Sequence, residues 1–304
     1  MLQDLLDLLV DQDVLRKQRR EYQPAAISKN LESDIEQILS KFGLNNIDKD
    51  WIKQSAGYRI IFSYYNKIIT NYLLESMTTG LPTTTLKGSE PSQLTTIYDS
   101  LLITPANTIP RMAAIAYAIA KRNPKNILDI NCSTGRGTEE ILICQSNAEM
   151  VMGVDTNPYQ LKIAKRNIET LHATHDFQEE NVEFKVVDYT KSLTEQLSEF
   201  VGTFDMVLIN QLPSWISNES FSILIPEIWN LLRSDGIIAL YQPLRPSNDV
   251  PWPDEWLLRV IDGFFGFPNK SEFLQHFNRR TSGNSSVSIT RQSVIPLISY
   301  VFSS

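Results

Sequence analysis

Small and acidic residues stand where apolar stretches of the sequence end. The loop 131–137 reads N-C-S-T-G-R-G and follows the apolar stretch 127–130, so its backbone can approach a ligand closely. Asp155 ends a second apolar stretch twenty positions after Gly135, and a carboxylate there can accept hydrogen bonds from both hydroxyls of a ribose. Asp188 ends a third stretch, where a carboxylate can accept from an exocyclic amine such as that of adenine.

Alternating strands and helices must position these residues, and the sequence predicts them from residue 126 onward. Apolar strand-like runs alternate with helical runs, a spacing typical of βαβ units and a mainly parallel sheet. We expect strands over 127–130, 150–154, 182–187, 204–209 and 236–241, helices over 138–145, 158–170, 193–200 and 221–232, and a final strand pair over 287–290 and 296–302. Ligands of such sheets bind at the carboxyl ends of the strands.

The first hundred residues have a different pattern, which predicts helices because apolar residues recur at three- and four-residue steps. The helical runs are 27–42, 50–77 and 110–121, with a loop rich in Gly, Pro and Thr over 78–91. Pro110 is expected in the first turn of its helix. We therefore divide the chain into a helical N-terminal extension, 1–108, and an α/β domain, 109–304.

The ordered set of strand-end features resembles the class I S-adenosylmethionine-dependent methyltransferases. The resemblance covers about 126–241. The first-strand acid of that family aligns with Asp129, and its three loop glycines align with Asn131, Ser133 and Gly135. Its next two strand-end acids align with Asp155 and Asp188. Its fourth motif aligns with 204–209, and its leucine pair and the glycine before the fifth strand align with 231–236. An ordered set of five such features is much more specific than one glycine loop alone.

The resemblance implies a fold and a cofactor. The fold is an α/β, Rossmann-like, doubly wound and mainly parallel sheet with a final antiparallel strand, preceded by the helical extension. The cofactor is S-adenosylmethionine. The positions expected to bind it are Asp129, Asn131, Ser133, Gly135, Asp155, Thr156, Asp188, Tyr189 and Asn210.

Two of the family's loop glycines are replaced here, by Asn131 and Ser133. Asparagine tolerates a positive φ better than most other residues. Ser133 is small, and its hydroxyl can donate to a carboxylate such as the methionine end of the cofactor. We therefore interpret the loop as a modified cofactor loop. The alternative is a loop that no longer serves a cofactor, in a catalytically silent, methyltransferase-like binding module.

Each acid also has a structural alternative. Asp155 can cap the helix that follows it, although Thr156 and Asn157 can do so equally well, and we favour ribose binding. Asp188 can be an ordinary turn residue, and we favour a contact with the adenine edge. Asp129 can be a polar strand end, and its position in the motif favours an organiser of the loop or a cofactor ligand.

The expected acceptor is a medium-sized, partly apolar small molecule or a peptide terminus. Aromatic residues at helical spacing in the extension, among them Tyr58 and Phe62, fit an apolar pocket wall, and helix core or a dimer face is the alternative for them. Trp215 follows the fourth strand, where this family lines the methyl-transfer centre. The aromatic residues of 251–268 can complete the pocket.

The strand ends carry no histidine, which favours methyl transfer to an oxygen that needs no histidine base. A carboxylate is already anionic at neutral pH, and a hydroxyl can be deprotonated by Asp or Glu. His276 is the candidate catalytic base in the tail, and a packed or surface histidine is its alternative. N-methylation of a specialised metabolite is the alternative reaction. A nicotinamide oxidoreductase is disfavoured, because G-x-G-x-x-G would require glycines at Asn131, Ser133 and Arg136.

Composition excludes several classes of partner. The net charge is -7, so we expect no general attraction to nucleic acid or to anionic lipid. The sequence shows no apolar run of membrane-spanning length, no metal cluster at ligand spacing, and only two cysteines, too few for a disulfide framework. We expect a cytoplasmic protein that acts on a small-molecule or peptide substrate without a metal, with a homodimer as an open alternative.

Overall fold

The computed structural model describes the larger part of the α/β domain and short parts of the extension. The described residues are 15–18, 21–24, 79, 84–85, 99, 102–103, 105–175, 177–245, 255, 258–259, 261–278, 288–291 and 297–303. The predicted helices over 27–42 and 50–77, and with them Tyr58 and Phe62, lie outside the described residues.

Strands and helices alternate along the described chain. The strands are β1 (Leu15–Gln18), β2 (Glu21–Pro24), β3 (Thr84–Thr85), β4 (Asn126–Ile130), β5 (Met150–Asp155), β6 (Val182–Val186), β7 (Phe204–Asn210), β8 (Leu232–Pro243), β9 (Ile261–Asp262), β10 (Ser288–Arg291) and β11 (Leu297–Ser303). The helices are α1 (Pro105–Arg122), α2 (Arg136–Cys144), α3 (Pro158–His172), α4 (Leu193–Gln196), α5 (Asn218–Leu231) and α6 (Lys270–Asn278).

Seven of the strands form the main sheet, in the order β10-β11-β8-β7-β4-β5-β6. Strands β4 to β8 are parallel to their neighbours, whereas β11 is antiparallel to β8 and β10 is antiparallel to β11. This order confirms the predicted Rossmann-like, doubly wound sheet with an antiparallel end. The chain runs outward from β4 to β6 and then returns to β7, so the topological switch point lies between β4 and β7.

Helices cover both faces of the sheet because successive strand residues point to opposite sides. Ile127 of β4 packs in a buried cluster with residues of α1, α2 and α3. Its neighbour Leu128 belongs to the cluster that contains residues of α4, α5 and α6. Parallel strands covered on both faces are continuous apolar runs, which explains why the strands were visible in the sequence.

The structure departs from the predicted elements at α1 and in the extension. The helix begins at Pro105, five positions before Pro110, which lies inside it. A proline at the first helical position lacks an N–H that would have no partner there anyway. The boundary proposed between 108 and 109 therefore falls within one helix. In the extension β1 and β2 form an antiparallel hairpin, and β3 pairs in parallel with β9; the helical periodicity predicted neither pairing.

Candidate functional site

A cavity of about 620 Å³ lies at the carboxyl ends of the parallel strands, within the size range of small-molecule sites. Its wall contains residues that follow β4, β5, β6 and β7, and residues of β9 and the loop after it. Open α/β sheets bind ligands at the carboxyl ends of their strands near the switch point. The cavity is therefore where the topology of this sheet predicts a ligand.

Six of the nine expected cofactor positions line this cavity, and three do not. The lining positions are Asn131, Ser133, Asp155, Thr156, Asp188 and Tyr189. Asp129, Gly135 and Asn210 are not part of its wall. Their contacts, described next, hold the loop after β4 in place.

The loop after β4 keeps a backbone conformation that glycine usually supplies. The φ angle is 59° at Asn131, 51° at Ser133 and 83° at Gly135, and this left-handed region costs a residue with a Cβ about 1–2 kcal/mol. Asn131 is held there by two hydrogen bonds. Its Nδ2 donates to the Asn210 carbonyl at 2.6 Å, and its backbone N–H donates to the Tyr189 hydroxyl at 2.8 Å.

Ser133 combines this conformation with a buried hydroxyl. Its backbone N–H donates to Oδ2 of Asp155 at 2.9 Å, which ties the loop to the end of β5. The residue is 6% exposed, and its Oγ has no hydrogen-bond partner among the described residues. Ser133 lines the large cavity and also a second one of about 20 Å³. Ser133 thus lies at the cavity wall with a hydroxyl that is buried and, within the described part of the chain, not hydrogen-bonded.

The two glycines that remain in the loop are needed for close packing. A Cβ on Gly135 would lie 2.9 Å from Cβ of Ala164 in α3. A Cβ on Gly137 would lie 2.6 Å from Nδ2 of Asn210 and 2.9 Å from Oδ2 of Asp129. Separations this short are repulsive, so the start of α2 could not approach β7 and α3 as closely with larger residues.

Asp129, in β4, holds the loop after β4 in place through hydrogen bonds. It is fully buried, accepts from Oγ1 of Thr138 at 2.7 Å and accepts from Nδ2 of Asn210 at 2.5 Å. Burial raises the pKa of this carboxyl to about 7, against the opposing effect of those hydrogen bonds. Its contacts connect β4, β7 and the first turn of α2, which is the loop-organising alternative of the sequence analysis.

Asp155 lines the cavity from the end of β5. Its oxygens accept from the backbone N–H of Ser133 and of Asn157, each at 2.9 Å. Burial raises its pKa to about 6, while hydrogen bonds from the backbone of Asn157, Ser133 and Thr156 lower it. A carboxylate has about four lone-pair sites, so one remains for a ligand. The cap of α3 is Asn157, whose Oδ1 accepts from the N–H groups of the first helical turn.

Asp188 and Tyr189 follow β6. Asp188 accepts from the backbone N–H and the hydroxyl of Thr190 and pairs with Lys191 at 3.3 Å. These groups lower its pKa, the Thr190 hydroxyl most strongly. The Tyr189 hydroxyl donates to the Val154 carbonyl at 3.1 Å, and burial raises its pKa well above the ordinary value. Tyr189 therefore braces the loop against β5, while Asp188 keeps an exposed edge that can accept from a ligand.

An ion pair joins the extension to the loop after β4. Nε and Nη2 of Arg136 donate to the two oxygens of Asp99 at 2.9 and 2.7 Å. The Thr134 hydroxyl also donates to Asp99, and Nδ2 of Asn167 donates to the Thr134 carbonyl at 2.9 Å. No local pattern in the sequence relates Asp99 to a loop 37 positions away, so this contact is not predictable from sequence alone.

The wall beyond the loop is formed by the segments after β7 and β9. Trp215, the expected substrate contact, lines the cavity and packs edge-on against Phe264 at 5.2 Å between ring centroids. Phe265 and Asp262 line it as well. The aromatic residues of 251–268 had been expected near the pocket, whereas Asp262 had not been singled out.

The structure does not bring His276 to the cavity. It lies on α6, with one ring nitrogen 3.0 Å from Oγ of Ser222 and the other 2.6 Å from Oδ1 of Asn218. Its ring packs edge-on against Phe221 at 5.3 Å. These partners all belong to α5, so the geometry favours the packed-histidine alternative over a catalytic base.

The described residues show neither a metal site nor a membrane span. Among them, no group of three or more His, Cys, Asp or Glu side chains is placed to hold a metal ion. The helices that the structure describes are all too short or too polar to cross a bilayer.

Comparison with known proteins gives matches in family, sequence and fold. Residues 121–255 match the family model described as a methyltransferase domain. The chain is 30% identical over 141 residues to an uncharacterized methyltransferase of Synechocystis, covering 46% of this chain and 56% of that protein. It is 28% identical over 129 residues to the malonyl-[acyl-carrier protein] O-methyltransferase of Halalkalibacterium halodurans, covering 42% of each. The chain thus spans about half the length of these curated relatives.

A structural likeness extends over almost the whole chain. Human N-acetylserotonin methyltransferase in complex with S-adenosylmethionine superposes with a TM-score of 0.52, at 13% identity, covering 98% of this chain and 81% of that one. At this identity the likeness shows a common fold.

Proposed function

We propose that this chain, whose residues 121–255 match the family model of a methyltransferase domain, transfers a methyl group from S-adenosylmethionine to an oxygen of a medium-sized, partly apolar small molecule or peptide terminus. One observation carries the proposal. Ser133, Asp155 and Asp188, which follow or end three successive parallel strands, line a single cavity. That is the arrangement a nucleoside with an amino-acid tail requires at a strand edge.

The residues of the cavity fit this cofactor. The Ser133 hydroxyl has no partner among the described residues and can donate to the carboxylate of the methionine part. Asp155 has one remaining acceptor site for a ribose hydroxyl, and Asp188 can accept from the adenine amine. The left-handed conformation at Asn131 and Ser133 lets the backbone approach the cofactor, and this supports a working loop over a degenerate one.

When bound, the cofactor would supply an electrophilic methyl group for in-line attack by the acceptor oxygen, with S-adenosylhomocysteine as the leaving group. The protein contributes alignment and exclusion of water. Leu212 is fully buried directly after β7, and Trp215 and Ile216 continue the apolar wall. These side chains give the cavity an apolar side next to the carboxyl end of β7.

Oxygen is the proposed target rather than nitrogen. The Halalkalibacterium relative is an O-methyltransferase, and the described part of the cavity wall contains no histidine, lysine or arginine. N-methylation is the second reaction that this fold permits, and the identity of the labelled product decides between them.

Calorimetry of the full-length protein with S-adenosylmethionine, S-adenosylhomocysteine and NAD tests the cofactor. We expect binding of the first two and none of NAD. Asp155→Asn removes the charge and also turns an NH2 group toward one of the two backbone N–H donors that Asp155 accepts from. Affinity should fall by about 1.5–3 kcal/mol, the value of a hydrogen bond to a charged group, and urea unfolding of the variant measures the accompanying loss of stability separately. Asp235→Asn, which changes an exposed carboxylate on β8, should bind like the wild type.

Turnover is tested by incubating a pool of candidate acceptors with S-adenosylmethionine labelled in its methyl group. A labelled methyl ether or ester identified by mass supports the proposal, and a labelled amine supports the alternative reaction. Binding of NAD instead of S-adenosylhomocysteine, or an Asp155→Asn variant that binds as tightly as the wild type, contradicts the assignment of the cavity.

A further inference from the structure

The chain segment that follows β7 contacts the segment that follows β9 at the wall of the cavity. The backbone N–H of Phe265 donates to the Ser214 carbonyl at 2.8 Å, and Trp215 packs edge-on against Phe264. Phe265 lines the cavity although its residue is 59% exposed. Large aromatic side chains gain most when such surface is covered. This wall therefore suits a planar, mostly apolar ligand.

Three carboxylates line the same cavity, and two are already bonded within the chain. Asp155 accepts from backbone N–H groups. Asp188 accepts from Thr190 and pairs with Lys191. Asp262 differs from both, because within the described part of the chain its side chain has neither a hydrogen-bond donor nor an ion-pair partner.

A ligand that fills the cavity removes water from the Asp262 carboxylate. An ionised carboxylate that loses its water must gain another hydrogen-bond donor, because otherwise the lost hydration weakens binding of the ligand. A hydroxyl or N–H on the ligand supplies that donor. A ligand carboxylate instead places a like charge beside Asp262, and the two groups repel each other.

We propose that Asp262 determines acceptor choice: the acceptor is a planar, mostly apolar molecule that presents a hydroxyl or N–H donor to Asp262, and acceptors with a carboxylate at that place are excluded. The inference rests on the proposed methyl transfer and names the substrate class of the same cavity. It separates this chain from its Halalkalibacterium relative, whose named substrate is a malonyl group.

Matched naphthalene probes test the proposal on the full-length protein saturated with S-adenosylhomocysteine. Binding of 2-naphthol and of 2-naphthoate at neutral pH is followed by calorimetry. We expect 2-naphthol to bind at least about tenfold more tightly than 2-naphthoate, equivalent to about 1.4 kcal/mol. Asp262→Asn should remove most of that difference, because the amide repels no anion. Asp235→Asn makes the same change of charge outside the cavity wall and should preserve the difference.

Each contrary outcome refutes a particular part of the proposal about Asp262. Equal binding of the two probes to the wild type refutes the exclusion of carboxylates, and an Asp262→Asn variant with the wild-type preference shows that another residue sets it. Failure of both probes to bind, while S-adenosylhomocysteine binds, refutes the planar apolar acceptor. Failure of S-adenosylhomocysteine itself to bind is a failure of the proposed function and is measured separately.

Discussion

Replacing Ser133 by alanine and by glycine separates two unfavourable features of the cofactor loop. The φ of 51° costs a residue with a Cβ about 1–2 kcal/mol. The buried hydroxyl has no partner among the described residues, which costs about 1–3 kcal/mol in the free protein. Ser133→Ala removes the hydroxyl alone, whereas Ser133→Gly removes the hydroxyl and the backbone strain.

Both variants should therefore be more stable than the wild type without cofactor. We expect Ser133→Ala to raise the free energy of unfolding by about 1 kcal/mol, the lower end of the cost of an unsatisfied hydroxyl. Ser133→Gly should add the relief of strain, reduced by about 0.4–1 kcal/mol because glycine makes the unfolded chain more flexible. The net gain of glycine over alanine is then about 0.5–1 kcal/mol.

Cofactor affinity should change in the opposite direction. If the hydroxyl donates to the carboxylate of the cofactor, its loss costs about 1.5–3 kcal/mol in either variant. The assay is urea unfolding of each free protein combined with calorimetric titration of S-adenosylhomocysteine, which carries the same carboxylate. Ser133→Leu serves as a steric control and should lose binding while remaining folded.

Three results would refute this reasoning. An unchanged stability of Ser133→Ala means that the hydroxyl is already satisfied, for instance by a water in the cavity of about 20 Å³. Unchanged affinity in both small variants means that the hydroxyl does not touch the cofactor. Binding by Ser133→Gly but not by the wild type means that the loop is degenerate, and the chain is then a non-catalytic relative.

The remaining predictions concern packing, pH and the tail. Gly135→Ala should lower the free energy of unfolding by about 2–4 kcal/mol, because the left-handed φ and the 2.9 Å approach to Ala164 both oppose a Cβ. Gly202→Ala is the control: its φ is positive but its surroundings are open, so it should cost only about 1–2 kcal/mol. Equal losses of the two variants in urea unfolding would contradict the role of the Ala164 contact. The pKa of Asp129 is raised to about 7, so its contribution to stability is present below about pH 4 and falls by about 4 kcal/mol as the pH rises to 7. Asp155, with its pKa raised to about 6, adds a slope of the same sign up to about pH 6. Asp129→Asn should therefore reduce the fall of unfolding free energy between pH 4 and 7 and remove it between pH 6 and 7, and an unchanged slope would exclude Asp129 as its source. His276→Ala should lose about 1 kcal/mol of stability with its hydrogen bonds to α5 and leave cofactor affinity and turnover unchanged; a loss of turnover alone would restore it as a base.

The fold was predictable because the central parallel strands β4, β5 and β7 are buried on both faces. Their apolar runs stand out between amphipathic helices, and the predicted starts of β5, β6 and β7 coincide with the observed ones. The start of β8 was less predictable: it begins at Leu232, which pairs with Phe204 before a register shift, and the three residues after Leu232 are exposed and polar. Hydrophobic pattern alone cannot show a strand that leaves the core.

The site was predictable where residues are fixed to strand ends and less so elsewhere. Asp155 and Asp188 could be placed because β5 and β6 end beside them. Asp99 and Asp262 could not, because each reaches the site through a contact between segments distant in sequence. His276 was proposed from residue type alone, and no pattern in the tail showed that its ring would face α5.

The loop also explains how a glycine motif can lose glycines and keep its shape. A glycine can be required for two separate reasons: a left-handed φ, or the lack of room for a Cβ. At positions 131 and 133 only the left-handed φ favours glycine, and hydrogen bonds from Asn131 and Ser133 to neighbouring strands can offset its cost. At Gly137 only the lack of room for a Cβ requires glycine, and at Gly135 both the left-handed φ and the lack of room require it. Since space cannot be restored by a hydrogen bond, substitution should be tolerated at 131 and 133 and rejected at 135 and 137, which is the pattern this sequence has.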